Sequence, residues 1–508
     1  MELPSPREGV YRRSSLFLPI LAVGLLFWLL VETSGSGLAV PGSPEGMTGG
    51  QTLWPEGGVP LCTAYWDQDW LEMAEDGAGG AIVVWQDYRH ASSNDGPSDL
   101  YARRVYSDGT PAWLTDGVPI CLAPNSQWWP QIVGDGDGGA VIAWGDYRSG
   151  EGDIYAQRVL SDGIVAWTTD GISLCTAAAD QYVPVLIHDG TSGAIVAWED
   201  HRGADTDIYA QRVYGDGTLA WATDGISLSV AAGDQGWPAI TSDGAGGAIV
   251  AWHGGCGGSP GICAQRVHPD GSVAWTPGGV AVSSGPGYYP QIAGDQAGGA
   301  IVVWQTDYGS AADLYAQRVY SDGVVAWAAG GVPLTLAPGG LYNSVLASDG
   351  NGGAIVAWQD ERPGHGVLIY AQRVRSSGLV AWAPNGIPVT EVGSSRLQWS
   401  PDIIDDGQGG AIVTWQGWRG ASGYPHIYAQ QLHRSGAWLW GADGLAVCEV
   451  FEGAGQTRPR LVGSGIADAI ITWEDNRRWY KEDELDVYAQ RVRGITYRLY
   501  LPSIQREH

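Results

Sequence analysis

Residues 129–175 read WPQIVGDGDGGAVIAWGDYRSGEGDIYAQRVLSDGIVAWTTDGISLC, and this unit recurs along the chain. Its signature Trp falls at Trp85, Trp144, Trp198, Trp252, Trp304, Trp358, Trp415 and Trp473, at spacings of 59, 54, 54, 52, 54, 57 and 58 residues. Self-similarity at a period near fifty marks a propeller or a solenoid, whose units share cores with their neighbours.

Inside the quoted copy, residues 130–133 predict a short first strand. Residues 140–144 predict a second that is apolar throughout, as expected where both faces are buried. Residues 154–159, IYAQRV, give the third, and a fourth is expected at 164–167, running on through Gly171 to Cys175. Asp-Gly turns separate the strands, as at Asp135 and Asp162, because tight hairpins call for positive φ. Four-stranded antiparallel units repeated radially make a β-propeller. The expectation is therefore an all-β, eight-bladed propeller in which the signature Trp packs between blades and gives its N–H to a backbone carbonyl.

The ends fit a closed ring. The last unit has Trp473 and a third-strand run at 487–492, then lacks its Asp-Gly and Ala-Trp. The missing piece stands at the other end, where LWPEGGVPLC (53–62) matches AWLTDGVPIC (112–121). The N-terminal segment is thus expected to complete the last blade as its fourth strand, removing an edge that would invite aggregation. The competing candidate, ITYRLYL at 495–501, alternates but lacks the motif.

Composition bounds the partners. The formal net charge is −28 and there is a single Lys, Lys481, so nucleic acid is excluded as a natural partner. The acidity serves solubility or, on the sharper reading, Ca²⁺ affinity; no other cofactor is expected. Arg7, Arg12 and Arg13 precede an apolar run at 16–31, followed by small residues up to Ala39. This is the layout of a signal peptide, and a retained anchor is the alternative. The chain then divides into 1–39 (signal peptide or anchor), 40–51 (linker), 52–494 (propeller) and 495–508 (tail). It is expected to be secreted or held at the cell surface as a monomer, touching membrane only through its N-terminal segment.

The pattern DGxGGAIVAWxDxR, DIYAQRV, SDGxxAW resembles a repeat of secreted bacterial proteins that are mostly uncharacterised, over nearly all of the mature chain. The Ser-Asp-Gly…Trp element also resembles the Asp-box of sialidase-type propellers. It departs from that motif because Asp162 follows Ser161 and precedes Gly163 directly. The resemblance implies a secreted propeller, and the Asp-box implies fold only.

Asp two residues and Arg four residues after the signature Trp recur, as Asp146 and Arg148. Bidentate Arg–carboxylate pairs suit the pinning of each second-to-third-strand loop; a ligand-binding ring is the other reading. Function is then expected in what does not repeat. Aromatics stand at the entry to the first strands of seven units: Trp66, Trp70, Trp128, Trp129, Tyr182, Trp237, Tyr288, Tyr289, Tyr342 and Trp399. They are candidate ligand-binding residues beside the variable loops 87–99, 200–207, 360–368, 417–426 and 475–486. Packing of the hub is the alternative.

Cys62, Cys121, Cys175 and Cys448 share one repeat position with Ser229, Ser283, Thr335 and Thr390, which says small residue rather than ligand. Cys256 and Cys263 flank a loop and are expected to form a local disulfide. His90, His201, His253, His365 and His426 lie in loops of different blades, so no metal site is expected. HExxH and P-loop motifs are lacking. Asp69, Asp402 and Glu361 are candidates for a glycosidase-type carboxylate pair across the channel. The leading expectation is a non-catalytic binding or adhesion module for a glycan or protein. A glycan-active hydrolase or lyase and a structural surface protein are the alternatives.

Overall fold

The computed structural model describes residues 49–496, apart from 93–95, 230, 257–259, 308–311, 365, 394–396, 420–422, 450–453 and 478–483. The signal-peptide or anchor segment, linker residues 40–48, His365 and the tail from 497 onward lie outside the described residues.

Eight antiparallel sheets form eight blades, and the described elements are all strands. Blade 1 comprises Gln68–Glu75, Ala81–Asp87, Asp99–Val105 and Val118–Cys121. Blade 2 comprises Gln127–Gly134, Ala140–Asp146, Asp153–Val159 and Ile172–Cys175. Blades 3 to 7 follow at residues 181–229, 236–281, 288–335, 341–388 and 397–448. The first strand of every blade touches the first strands of both neighbours, so these strands line the central channel. The second strands are buried along their length, which is why they read as apolar runs.

Blade 8 closes the ring as its sequence predicts. Gln456–Gly465, Asp468–Asp475 and Asp486–Arg493 take Val59–Cys62 as the fourth strand, in the register Val59↔Ala489 and Pro60↔Tyr488. Gln51 and Thr52 pair with Arg493 and Val492 further along the same strand. Trp54 then reaches blade 1, its indole N–H donating to the Ser107 carbonyl at 3.3 Å.

Three local expectations change. The fourth strand of blade 2 is Ile172–Cys175, while the segment 164–167 makes one bridge, Val159↔Val165. The reason is Trp167, whose Nε1 donates to the Gly215 carbonyl of blade 3 at 3.1 Å and so draws this segment toward the neighbour. The chain turns back at Gly171, with φ of 85°, where a Cβ would lie 2.6 Å from the Trp144 ring. The first strand is also longer than expected, because it runs through an irregularity described below.

The third change concerns Trp144. It packs between blades 1 and 2, but its N–H goes to a carboxylate, Asp146 Oδ2, at 2.7 Å, and not to a backbone carbonyl. Asp146 also takes both forks of Arg148, Nε at 2.8 Å and Nη2 at 2.7 Å. Nη2 donates further to the Asp170 carbonyl at 2.7 Å and to Cys121 Sγ of blade 1 at 3.2 Å. The repeated Asp–Arg pair thus pins the loop and joins neighbouring blades. Where Gly254 and Gly417 replace this Asp, the indole N–H groups of Trp252 and Trp415 have no acceptor. The Arg of the YAQR run does a similar job: Arg158 bonds Asp135 Oδ2 at 2.9 Å and the Gly215 carbonyl at 3.1 Å.

Cys62, Cys121, Cys175 and Cys448 are buried, and burial pushes the Cys121 and Cys175 thiols up to about 12. Cys256 and Cys263 are joined by a disulfide, with Cα atoms 5.7 Å apart.

Candidate functional site

Each first strand enters with the same break. In blade 2 the ladder pairs Trp128↔Gly145 and resumes only at Gln131↔Ala143, a bulge that re-aims the residue between. That residue, Trp129, has φ of 52°. Its equivalents Trp70, Val183, Trp237, Tyr289, Asn343, Ser400 and Arg458 all have φ between 49° and 52°. Bulky side chains rarely adopt this left-handed conformation, and it persists only where the surroundings enforce it. In five of the blades the enforcement comes from the preceding blade, through the residue just after its signature Trp. The N–H of Trp129 donates to Gln86 at 3.0 Å, that of Trp70 to Glu474 at 3.0 Å, and that of Ser400 to Gln359 at 2.8 Å. Trp237 bonds Glu199 and Arg458 bonds Gln416 in the same way.

Two residues beyond each bulge position stands a second ring: Glu72, Gln131, Val185, Ala239, Gln291, Val345, Asp402 and Arg460. Its charged members fall in three successive blades, 7, 8 and 1. A cavity of about 720 Å³ lies at this end of the channel, bordered by Trp70, Trp237, Tyr289 and Tyr342 together with Glu72, Asp402, Arg458 and Arg460. Arg460 Nε donates to Glu72 Oε1 at 3.1 Å. Arg458 donates to Glu474 at 3.2 Å, and its guanidinium sits 4.6 Å above the Trp70 ring. Burial pushes the Asp402 carboxyl up to about 6 against the pull of Arg460. Burial likewise raises Glu199 to about 7, opposed by the Trp237 N–H.

The structure sorts the ten aromatic candidates. Trp70, Trp237, Tyr289 and Tyr342 share the cavity. Trp128, Trp129 and Tyr182 instead pack with Tyr147 and His201 over blades 2 and 3, with ring centroids 4.8 to 6.4 Å apart. Trp66 packs edge-on to Tyr65, Tyr288 to His253, and Trp399 to Trp418, outside the cavity lining. Of the carboxylates considered for a channel pair, Asp402 borders the cavity and Asp69 and Glu361 do not. Glu72, Arg458 and Arg460 went unnoticed in the sequence. Their signal was the alignment of QDWLE, QWSPD and QTRPR, which puts Glu72 and Arg460 in register with Asp402 and puts Arg458 in register with Trp70 and Ser400. Among the described residues no cluster of metal-ligating side chains occurs.

No family model matches the chain, and a search of curated proteins finds no relative. Several solved structures are similar in fold. One is a protein of unknown function from Dyadobacter fermentans (10% identity, 88% of this chain and 100% of that one, TM-score 0.38). A polysaccharide lyase described as an ulvan lyase is another (11% identity, 86% and 94%, TM-score 0.41). A third is a Hadza microbial sialidase (12% identity, 67% and 73%, TM-score 0.31). At such identities and scores nothing about activity or ligand carries over to this chain.

Proposed function

We propose that this protein is a secreted or surface-exposed binding propeller that holds a glycan at the mouth of its channel. One observation carries the reading: Trp70 and Trp237 are 45% and 47% exposed, on left-handed bulge residues, and border the same cavity. Exposed indole faces on a fixed backbone offer flat apolar platforms with polar groups alongside, which suits the C–H faces of sugar rings. A cavity of about 720 Å³ fits a small ligand or a few sugar units rather than a protein surface. A glycan array followed by calorimetry on Trp70→Ala and Trp237→Ala tests this. Binding lost in both variants supports it; unchanged affinity in both sinks it. The location rests on the N-terminal segment and is tested by sequencing the N-terminus of the exported protein.

A second reading, glycan cleavage in the same cavity, is favoured by Asp402. Its carboxyl is raised to about 6 while Glu72 in the same cavity is ion-paired to Arg460, an arrangement that separates an acid from a base. Release of new reducing or unsaturated ends from a bound glycan, abolished in Asp402→Asn, is the corresponding test.

A further inference from the structure

The charges bordering the cavity are already matched to one another. Arg460 serves Glu72 at 3.1 Å, and Arg458 serves Glu474 at 3.2 Å while covering Trp70. Each guanidinium therefore has a carboxylate partner, and of the two carboxylates bordering the cavity, Glu72 and Asp402, it is Asp402 that stands outside these ion pairs, feeling Arg460 only through space. Asp402 accepts the N–H groups of Leu461 at 3.0 Å and Ile403 at 2.9 Å. Each of its oxygens keeps a further lone pair. A second, independent feature lies in blade 6, the neighbour of the blade that carries Asp402. Ser344 borders it, is 6% exposed, and its hydroxyl has no hydrogen-bond partner. The equivalent position is Pro in six of the blades, such as Pro130 and Pro401, so this hydroxyl is no part of how a blade is built. An orphaned buried hydroxyl is a donor and acceptor in want of a partner.

We propose that the cavity takes an uncharged, polyhydroxylated sugar whose hydroxyls bond Ser344 and Asp402, and that it discriminates against uronate- and sulfate-bearing glycans. Sugar hydroxyls donate to the spare lone pairs of Asp402 and both donate to and accept from Ser344. An anionic sugar would need an unmatched guanidinium, and both arginines of the cavity are engaged. It would also approach a chain of net charge −28. The proposal rests on the glycan-binding reading above.

The test is calorimetry of the full chain against neutral oligosaccharides and size-matched uronate and sulfated ones, at low and high ionic strength. The expected result is binding of neutral sugars with little salt dependence. Ser344→Ala, shown by circular dichroism to be folded, should weaken that binding about tenfold. Preference for anionic glycans, with affinity falling as salt rises, overturns this proposal and leaves the glycan reading standing. An unchanged affinity in Ser344→Ala overturns the assignment of its hydroxyl. Binding to no glycan of any class overturns both.

Discussion

Trp144 donates its indole N–H to Asp146, two residues along the same strand, and the same carboxylate holds the Arg148 side chain and its backbone N–H. One fully buried anion thus answers three donor groups at the blade boundary. Asp146→Ala leaves the indole unsatisfied and the guanidinium without its counter-charge. The expected loss is about 3 kcal/mol in urea unfolding. Asp146→Asn, which can still accept from the indole, should lose less. A loss below about 1 kcal/mol would mean that the pair contributes little to holding the blades together.

Blade 7 lacks this carboxylate and offers the converse experiment. Trp415 has no acceptor for its N–H, and Arg419, already in place, lies over the Tyr428 ring at 3.6 Å. Gly417→Asp should raise stability by about 1 kcal/mol, read as a higher melting temperature. Gly254→Asp in blade 4 should fail to do so, because Gly254 has φ of 133°.

Trp54 belongs to the N-terminal segment yet packs with Val105 of blade 1 and Val487 of blade 8. Trp54→Ala should cost about 3–5 kcal/mol. Hydrogen exchange should speed up first in Asp486–Arg493, the strand that Val59–Cys62 covers. Unaltered exchange there would refute a closing role for this segment.

Glu199 gives a pH dependence of known sign. Its folded pKa, about 7, lies above its ordinary value of 4.5, so the folded state holds the proton more tightly. Its contribution is full below about pH 4.5 and is lost as pH rises through 7. Asp402, raised from 3.8 to about 6, adds a loss of the same sign over a lower window. Glu199→Gln should flatten the fall of melting temperature between these limits. Gln86, Gln359 and Gln416 already accept the equivalent N–H in other blades, so the substitution keeps the bond. A melting temperature that rises from pH 5 to 7 would contradict this.

The blade was legible because its rules repeat. Apolar second strands, Asp-Gly turns and the match of 53–62 to 112–121 each follow from burial or turn geometry. The fourth strand was misplaced because apolar Ile164 to Trp167 looks strand-like, whereas Trp167 is committed to a carbonyl of the next blade. The acceptor of Trp144 was missed because a carboxylate two residues away in a strand lies on the same face, and only the fold shows it buried there. The site was half legible. Aromatics at strand entries are visible in sequence, but which of them border the channel is not. The bulge residues Trp70, Trp237 and Tyr289 and the neighbouring Tyr342 do, whereas the bulge residue Trp129 packs over blades 2 and 3 and Trp399 packs against Trp418.

The pairing of Val59–Cys62 with Asp486–Arg493 also sets an order of events during synthesis. The first strand of the ring to be made must wait for the last, so no partial chain emerging from the ribosome can complete the circle. Until Asp486–Arg493 arrives, that early strand has no partner and blade 1 lacks the neighbour that supplies Trp54 with its place. Closing a loop this long is a slow, non-local step, and a chain truncated near its end would be left as an open arc with two bare edges.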